Sequence, residues 1–253
     1  MNKTRLDRRQ MLGGLVLGAT ALALPGCETN PETGRSQLLL VGDDQLASMA
    51  VEAWTAQKQK VPISKDAAAQ GRLARVGRKI QDAAGRGGET WEFVVFDTKE
   101  LNAFVLPGGK VGFYKGLMAL CENDDQIAAV LGHETGHVTA HHAAERASQS
   151  MLAQIAGSVA GARSETIGQL FGLGTQYGVL LPYERRQESE ADILGVDYMH
   201  RAGYDVRQAV RLWELMGAQS TARQPELLST HPDPANRIEN IKAYIRAKGY
   251  ATI

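Results

Sequence analysis

The 253 residues carry 28 Lys+Arg against 28 Asp+Glu, a formal charge of zero, with 43% hydrophobic residues and only two cysteines. That composition supports a globular core. It excludes the basic field that a nucleic-acid-binding protein uses to neutralise phosphates, and it excludes a disulfide framework.

From the N-terminus, Lys3, Arg5, Arg8 and Arg9 precede an apolar run over residues 11–24. The run is too short to span a bilayer, so residues 1–26 read as an export signal. Leu24-Pro25-Gly26-Cys27 resembles a bacterial lipobox, although Pro25 departs from its usual small or β-branched residue. It makes Cys27 the expected lipidation site. Arg8-Arg9 followed by Leu12 also resembles a twin-arginine export signal. Residues 27–42, rich in Asn, Pro, Thr and Gly, read as a tether to a domain over residues 43–253.

Spaced Ala, Leu, Val and Ile predict helices over residues 44–58 and 64–84, the second closed by Gly85. Strands follow over residues 93–96, 102–106 and 111–113, with Pro107-Gly108-Gly109-Lys110 as the turn between the last two. The expected class is α+β and mainly helical, with a small β-meander, and no internal repeat interrupts it.

Chemistry enters on the next helix, which Asn123 caps with Gln126 as its capping-box partner. It carries His133-Glu134-Thr135-Gly136-His137. At about 100° per residue the two histidines differ by about 40° and stand one turn apart, so both imidazoles reach one metal ion. Glu134 on the adjacent flank is placed to take a proton from water without binding the metal. With six histidines in the chain, chance supplies this pattern about 0.01 times. His141 and His142 extend the stretch, but three ligands along two turns overextend a tetrahedral site. They read as supporting or surface histidines. The metzincin pattern needs Gly at 140 and His at 143, where this chain has Ala140 and Ala143.

A third ligand therefore comes from elsewhere, and the helical segment around Glu188, Glu190 and Asp192 supplies carboxylates. Glu188 and Asp192 share a face, while Glu190 points about 200° away from Glu188. One carboxylate can bind metal while the next accepts a proton from a ligand imidazole. Spacing prefers Glu188 to Glu190 for the first task. Residues 151–181 hold six glycines and only Arg163 and Glu165 as charges, which suits a lid, a membrane-facing surface or a buried helical hairpin equally.

The two motifs, His133-Glu134-x-x-His137 and Glu188-x-x-x-Asp192, resemble the HtpX and type I CAAX prenyl protease family of zinc metallopeptidases. Asn30-Pro31-x-Thr33-Gly34-Arg35, Asn102-Ala103-Phe104 through Pro107-Gly108-Gly109, and His231-Pro232 with Arg237 agree with it. The resemblance is to the soluble, periplasmic lipoprotein branch. It implies a zincin-like domain with one Zn2+ held by His133, His137 and Glu188, Glu134 as general base, Asp192 behind the ligands, and His231 and Arg237 as an active-site pair. It implies that Asn102, Ala103 and Phe104 lie on an edge strand that pairs with an extended substrate. The implied activity is hydrolysis of misfolded or unassembled envelope proteins in the bacterial periplasm. The membrane is reached through a lipid on Cys27. Glu28 is not the aspartate that marks inner-membrane retention in enteric bacteria, which favours the outer membrane.

The mechanism expected of three ligands and a base is peptide hydrolysis by a zinc-activated water. The competing class is a non-catalytic lipoprotein chaperone or assembly factor. His231, followed by Pro232 and Pro234 that hold the segment extended, has two expected roles: an oxyanion hydrogen-bond donor, or an additional ligand that closes the site at rest.

Overall fold

The computed structural model describes residues 27–159, 185–219, 227, 231 and 234–250. The export signal and residues 160–181 of the glycine-interrupted stretch lie outside the described residues.

Residues 27–42 do not form a free tether. β1 (Cys27–Thr29) and β2 (Ser36–Leu38) pair as an antiparallel hairpin. Asn30 Oδ1 accepts from the backbone N–H groups of Glu32 and Thr33 at 2.9 and 3.0 Å, and Gly34 takes φ +67 to close the turn. The Asn/Pro/Gly content that suits a linker here builds a turn, because its side chains find partners on the body of the fold.

Two helices follow, α1 (Asp43–Lys60) and α2 (Ala67–Ala83). Asp66 caps α2 by accepting from Ala69 N at 3.0 Å, and Leu73, Val76 and Ile80 bury one face at helical spacing. The strands β3 (Glu92–Phe96), β4 (Ala103–Leu106) and β5 (Lys110–Tyr114) make one sheet in the order β3-β5-β4. This corrects the expected meander. β4 and β5 form the hairpin through Gly108 and Gly109 at φ +77 and +71, but β3 pairs parallel to β5 on its other side. β5 is therefore central and β4 is an edge, with its backbone open on one side within this sheet. Both faces of β4 are covered: Ala103 and Val105 enter the main core, and Phe104 joins Trp54, Phe96 and Tyr114 in an aromatic cluster.

A short α3 (Lys115–Leu120) leads to α4 (Asp124–Thr139), which runs through the middle of the molecule with residues 126–137 all buried. Asn123 caps it, accepting from Gln126 N at 2.9 Å, while Gln126 Oε1 reaches back to Glu122 N at 2.8 Å. Around it pack α2, β4, α6 (Arg185–Arg201) and α7 (Arg207–Gln219), with α5 (His142–Val159) following directly and α8 (Pro234–Lys248) closing over α6 and α7. Among the described residues no helix is long and apolar enough to cross a membrane.

Candidate metal centre

The site exists because α4 and α6 cross almost backbone to backbone. Gly132 and Gly136 of α4 face Gly195 and Ala191 of α6, and a Cβ added at Gly132 would lie 2.9 Å from Gly195 O. At that separation the side chains of both helices reach one point. His133, His137, Glu188 and His231 each offer an atom there, all within 4.8 Å of one another and all buried.

The individual distances test whether a metal fits. His133 Nε2 lies 3.1 Å from His137 Nε2, and Glu188 Oε1 lies 3.3 Å from His137 Nε2. His231 Nδ1 is 2.9 Å from Glu188 Oε1 and 3.2 Å from His133 Nε2. Zn–N and Zn–O bonds of about 2.0–2.1 Å put tetrahedral neighbours about 3.3 Å apart, so the donor atoms stand near that spacing. Their chemistry agrees. His133 Nδ1 stands 3.0 Å from Asp192 Oδ1, which leaves Nε2 as a bare acceptor directed at the other donors. Nitrogen and carboxylate oxygen atoms of the kinds zinc binds, gathered this closely in a buried cluster, suit a shared cation. His133, His137 and Glu188, with His231 as a fourth, fit zinc.

Electrostatics are set by burial and by Arg237. That guanidinium is buried, donates through Nε and Nη2 to Asp192 at 2.7 and 2.6 Å, and places Nη1 2.7 Å from Glu188 Oε2. Its planar group lies 3.8 Å over the Trp213 ring. Burial pushes the Glu188 carboxyl up, but His231 and Arg237 outweigh it and hold that carboxyl well below its ordinary range. Asp192 is held down in the same way by Arg237 against the effect of burial. Burial also lowers the His137 imidazole well below its ordinary range, which keeps it neutral and able to ligate.

Glu134 stands apart from this clamp. Its carboxyl is buried and pushed up by that burial. Among the described residues Glu134 Oε1 has no hydrogen-bond partner, and His231 Nε2 lies 3.5 Å from it. A narrow apolar recess lined by Val130, Trp213, Met216 and Leu227 opens beside His133 and Glu134. A second, roomier recess borders His137, Val105 of β4 and the β4–β5 turn at Pro107 and Gly108.

The structure thus brings His133, Glu134, His137, Glu188, Asp192, His231 and Arg237 together. Asn102, Ala103 and Phe104 lie at the sheet edge rather than in the cluster, with Tyr114 N donating to Asn102 O at 3.0 Å. Glu190 stays out of the cluster, as its helical phase requires. His142 is fully buried, its Nδ1 2.8 Å from His137 Nδ1 and its Nε2 2.9 Å from Glu190 Oε2. Sequence reasoning missed Trp213, which has no local signal, and the roles of Arg35, Glu145 and Glu190. The signal for Arg35 was its place in the Asn30–Arg35 stretch. The second cysteine, Cys121, is buried, and burial pushes its thiol to about 12, which removes it as a nucleophile at neutral pH.

Residues 67–245 match peptidase family M48. The chain is similar to the mitochondrial metalloendopeptidase OMA1 of Schizosaccharomyces pombe, with 37% identity over 68% of this chain and 52% of the relative. It is similar to the metalloprotease LoiP of Escherichia coli, 27% identical over 93% of this chain and 97% of the relative. It is also similar to the beta-barrel assembly-enhancing protease of Escherichia coli, 26% identical over 92% of this chain and 50% of that protein. The chain spans about half the length of the OMA1 relatives it matches. These relatives widen the resemblance drawn from the motifs, since mitochondrial enzymes stand beside bacterial ones.

Proposed function

The chain belongs to peptidase family M48, a family of zinc-dependent metallopeptidases, and from that premise we propose that it is a zinc endopeptidase of the bacterial cell envelope. Its substrates are unfolded or misassembled envelope proteins. The observation that carries the reading is the buried set of His133, His137, Glu188 and His231 with Glu134 beside it. Structural zinc sites are usually closed by four ligands, whereas here His133, His137 and Glu188 make three ligands from two helices, with Glu134 placed as a base and His231 joining from outside those helices.

In this reading His133, His137 and Glu188 hold the ion, and zinc when bound supplies Lewis-acid polarisation and makes water more acidic. Glu134 takes the proton from water at its carboxylate and returns it to the leaving amine. The buried setting of that carboxyl raises its proton affinity toward what such a shuttle needs. Asp192 holds the proton of His133 on Nδ1, and Arg237 locks Asp192 and Glu188 in place. Arg237 is therefore a positioning residue. The open edge of β4, which packs against α4, supports backbone pairing with an extended chain, so selection rests on the main chain more than on sequence. Phe104 contributes its backbone only, because its ring is buried among other aromatics.

The presence of His231 within the donor set supports a resting form in which this residue occupies a ligand position. Residues 1–26 act as an export signal and Cys27 as the lipid-bearing residue, giving a periplasmic protein anchored to the outer membrane. The OMA1 relatives make a mitochondrial setting the rival location, and the lipobox favours the envelope.

The deciding experiment is cleavage of unfolded casein by the purified chain, with and without a chelator. Wild-type protein is expected to carry one zinc and to lose cleavage on chelation. Glu134→Gln is expected to keep the zinc and lose about 10²–10⁴-fold in rate. Equal rates for the two would refute the role of Glu134. A zinc-loaded chain that cleaves nothing, including as His231→Ala, would support the non-catalytic chaperone instead.

A further inference from the structure

The Asn30–Arg35 turn projects Arg35 between two helices. Arg35 Nη2 donates to Glu145 Oε2 of α5 at 2.7 Å, and Arg35 Nε donates to Glu190 Oε1 of α6 at 2.7 Å. The hairpin is fastened on either side of this fork. Asn30 Nδ2 donates to Thr139 O at 3.0 Å and Gln37 Nε2 to Ala140 O at 2.7 Å, both carbonyls at the C-terminal end of α4. That end is where His141 adopts φ 53, a left-handed turn that swings His142 back against α4.

With the rings of His142 and His137 both neutral, the hydrogen-bond polarity from Arg35 inward runs in one direction. Arg35 only donates, so Glu190 faces it as an acceptor. Glu190 Oε2 then takes the proton of His142 Nε2 at 2.9 Å. His142 Nδ1 is left bare and accepts from His137 Nδ1–H at 2.8 Å. His137 Nε2 is thereby left with its lone pair directed at the donor cluster. Each step fixes the next.

We propose that Arg35, Glu190 and His142 form a positioning relay that fixes the tautomer and ring orientation of His137, so that docking of the N-terminal hairpin sets zinc affinity. The relay rests on the reading above, in which His137 holds zinc. It is the counterpart, from the opposite side of the site, of Asp192 acting on His133, and it runs through two residues instead of one. Carboxylates behind a ligand histidine typically change metal affinity by about 10–100-fold. The Glu145 arm of the same fork does not lead to His137, so the two arms separate positioning from packing.

The test is a zinc titration of the full chain against a chromophoric chelator, with the melting temperature of the metal-free protein measured alongside. Glu190→Gln offers His142 an amide that can donate where the carboxylate only accepts, and His142→Phe keeps the ring while removing both nitrogens. Each is expected to weaken zinc binding about 10–100-fold, and Arg35→Ala to weaken it as well. The double variant Glu190→Gln/His142→Phe is expected to be no weaker than the poorer single, because both act on one chain of bonds. Glu145→Gln is expected to lower the melting temperature and leave zinc affinity unchanged. The relay is overturned if Glu190→Gln binds zinc like wild type, if the two losses add, or if Glu145→Gln weakens zinc as much as Glu190→Gln. A wild-type chain that takes up no zinc overturns the zinc reading as well, which distinguishes the two failures.

Discussion

A Cβ built on Gly195 lies 2.8 Å from the backbone nitrogen of His133. The atom it would meet is main chain, so no side chain can swing aside and the helices themselves must part. This contact joins the helix that carries both histidines to the helix that carries Glu188. Gly195→Ala is expected to cost about 1–3 kcal/mol in stability and to weaken zinc binding by drawing Glu188 away from His133 and His137. Thermal unfolding and a zinc titration check both, and a variant unchanged in both would show that the crossing has slack.

Arg237 neutralises two buried carboxylates at once, Glu188 Oε2 at 2.7 Å and Asp192 Oδ1 at 2.6 Å. Arg237→Ala leaves both without their cation, and removal of one partner from a buried ion pair costs about 3–5 kcal/mol. Bound zinc supplies part of the missing charge. The destabilisation is therefore expected to be larger in metal-free than in zinc-loaded protein, read as two melting curves. Equal losses in the two forms would count against the zinc site. Asp192→Asn, which keeps shape and loses charge, is expected to weaken zinc about 10–100-fold through His133.

Glu145 supplies a pH signature outside the cluster. Burial pushes its carboxyl up, but Arg35, Gln187 and Gln37 bring it down to about 2 from the ordinary 4.5. A depressed folded-state value means that the contribution to stability is present above about pH 4.5 and is lost as pH falls toward 2. Glu145→Gln stands in for the protonated acid. The gap in melting temperature between wild type and this variant is expected to be full above pH 4.5 and to close as pH falls toward 2. A constant gap would mean that Arg35 does not hold Glu145 ionised.

The parts of this site that could be read from the chain are those set by local periodicity. His133 and His137 lie on one helix four residues apart, and Glu188 and Asp192 repeat that spacing, so helical phase alone places each pair on one face. What brings the pairs together is long-range. The Gly132–Gly195 approach, the Arg237 clamp and the Trp213 ring under it involve residues far apart in sequence with no shared period. The strand order failed for a related reason: a Pro-Gly-Gly turn specifies the β4–β5 hairpin, but nothing local says that β3 joins the far side of β5 in parallel. The hairpin over residues 27–38 is hidden because its composition suits a linker, and its anchors Thr139 and Ala140 lie more than 100 positions away.

His231 is where the two expected roles can now be weighed. It is 3% exposed, its backbone N–H donates to Leu227 O at 2.9 Å, and Arg237 Nη1 donates to its carbonyl, so Leu227 and Arg237 hold it inside the site. Its Nδ1 lies within the donor set, 2.9 Å from Glu188 Oε1 and 3.2 Å from His133 Nε2. A side chain in that position takes the place of a water, which hydrolysis requires. With His231 removed, His133, His137 and Glu188 would still offer the three ligands of the proposed site. His231→Ala is therefore expected to keep one zinc per chain and to raise the initial rate of casein cleavage. Metal content by elemental analysis and the cleavage rate check this together. If kcat instead falls by about 10²–10³ with zinc retained, His231 is an oxyanion donor and the arrangement described here is not an inhibited one. If neither quantity moves, His231 serves the loop and not the reaction.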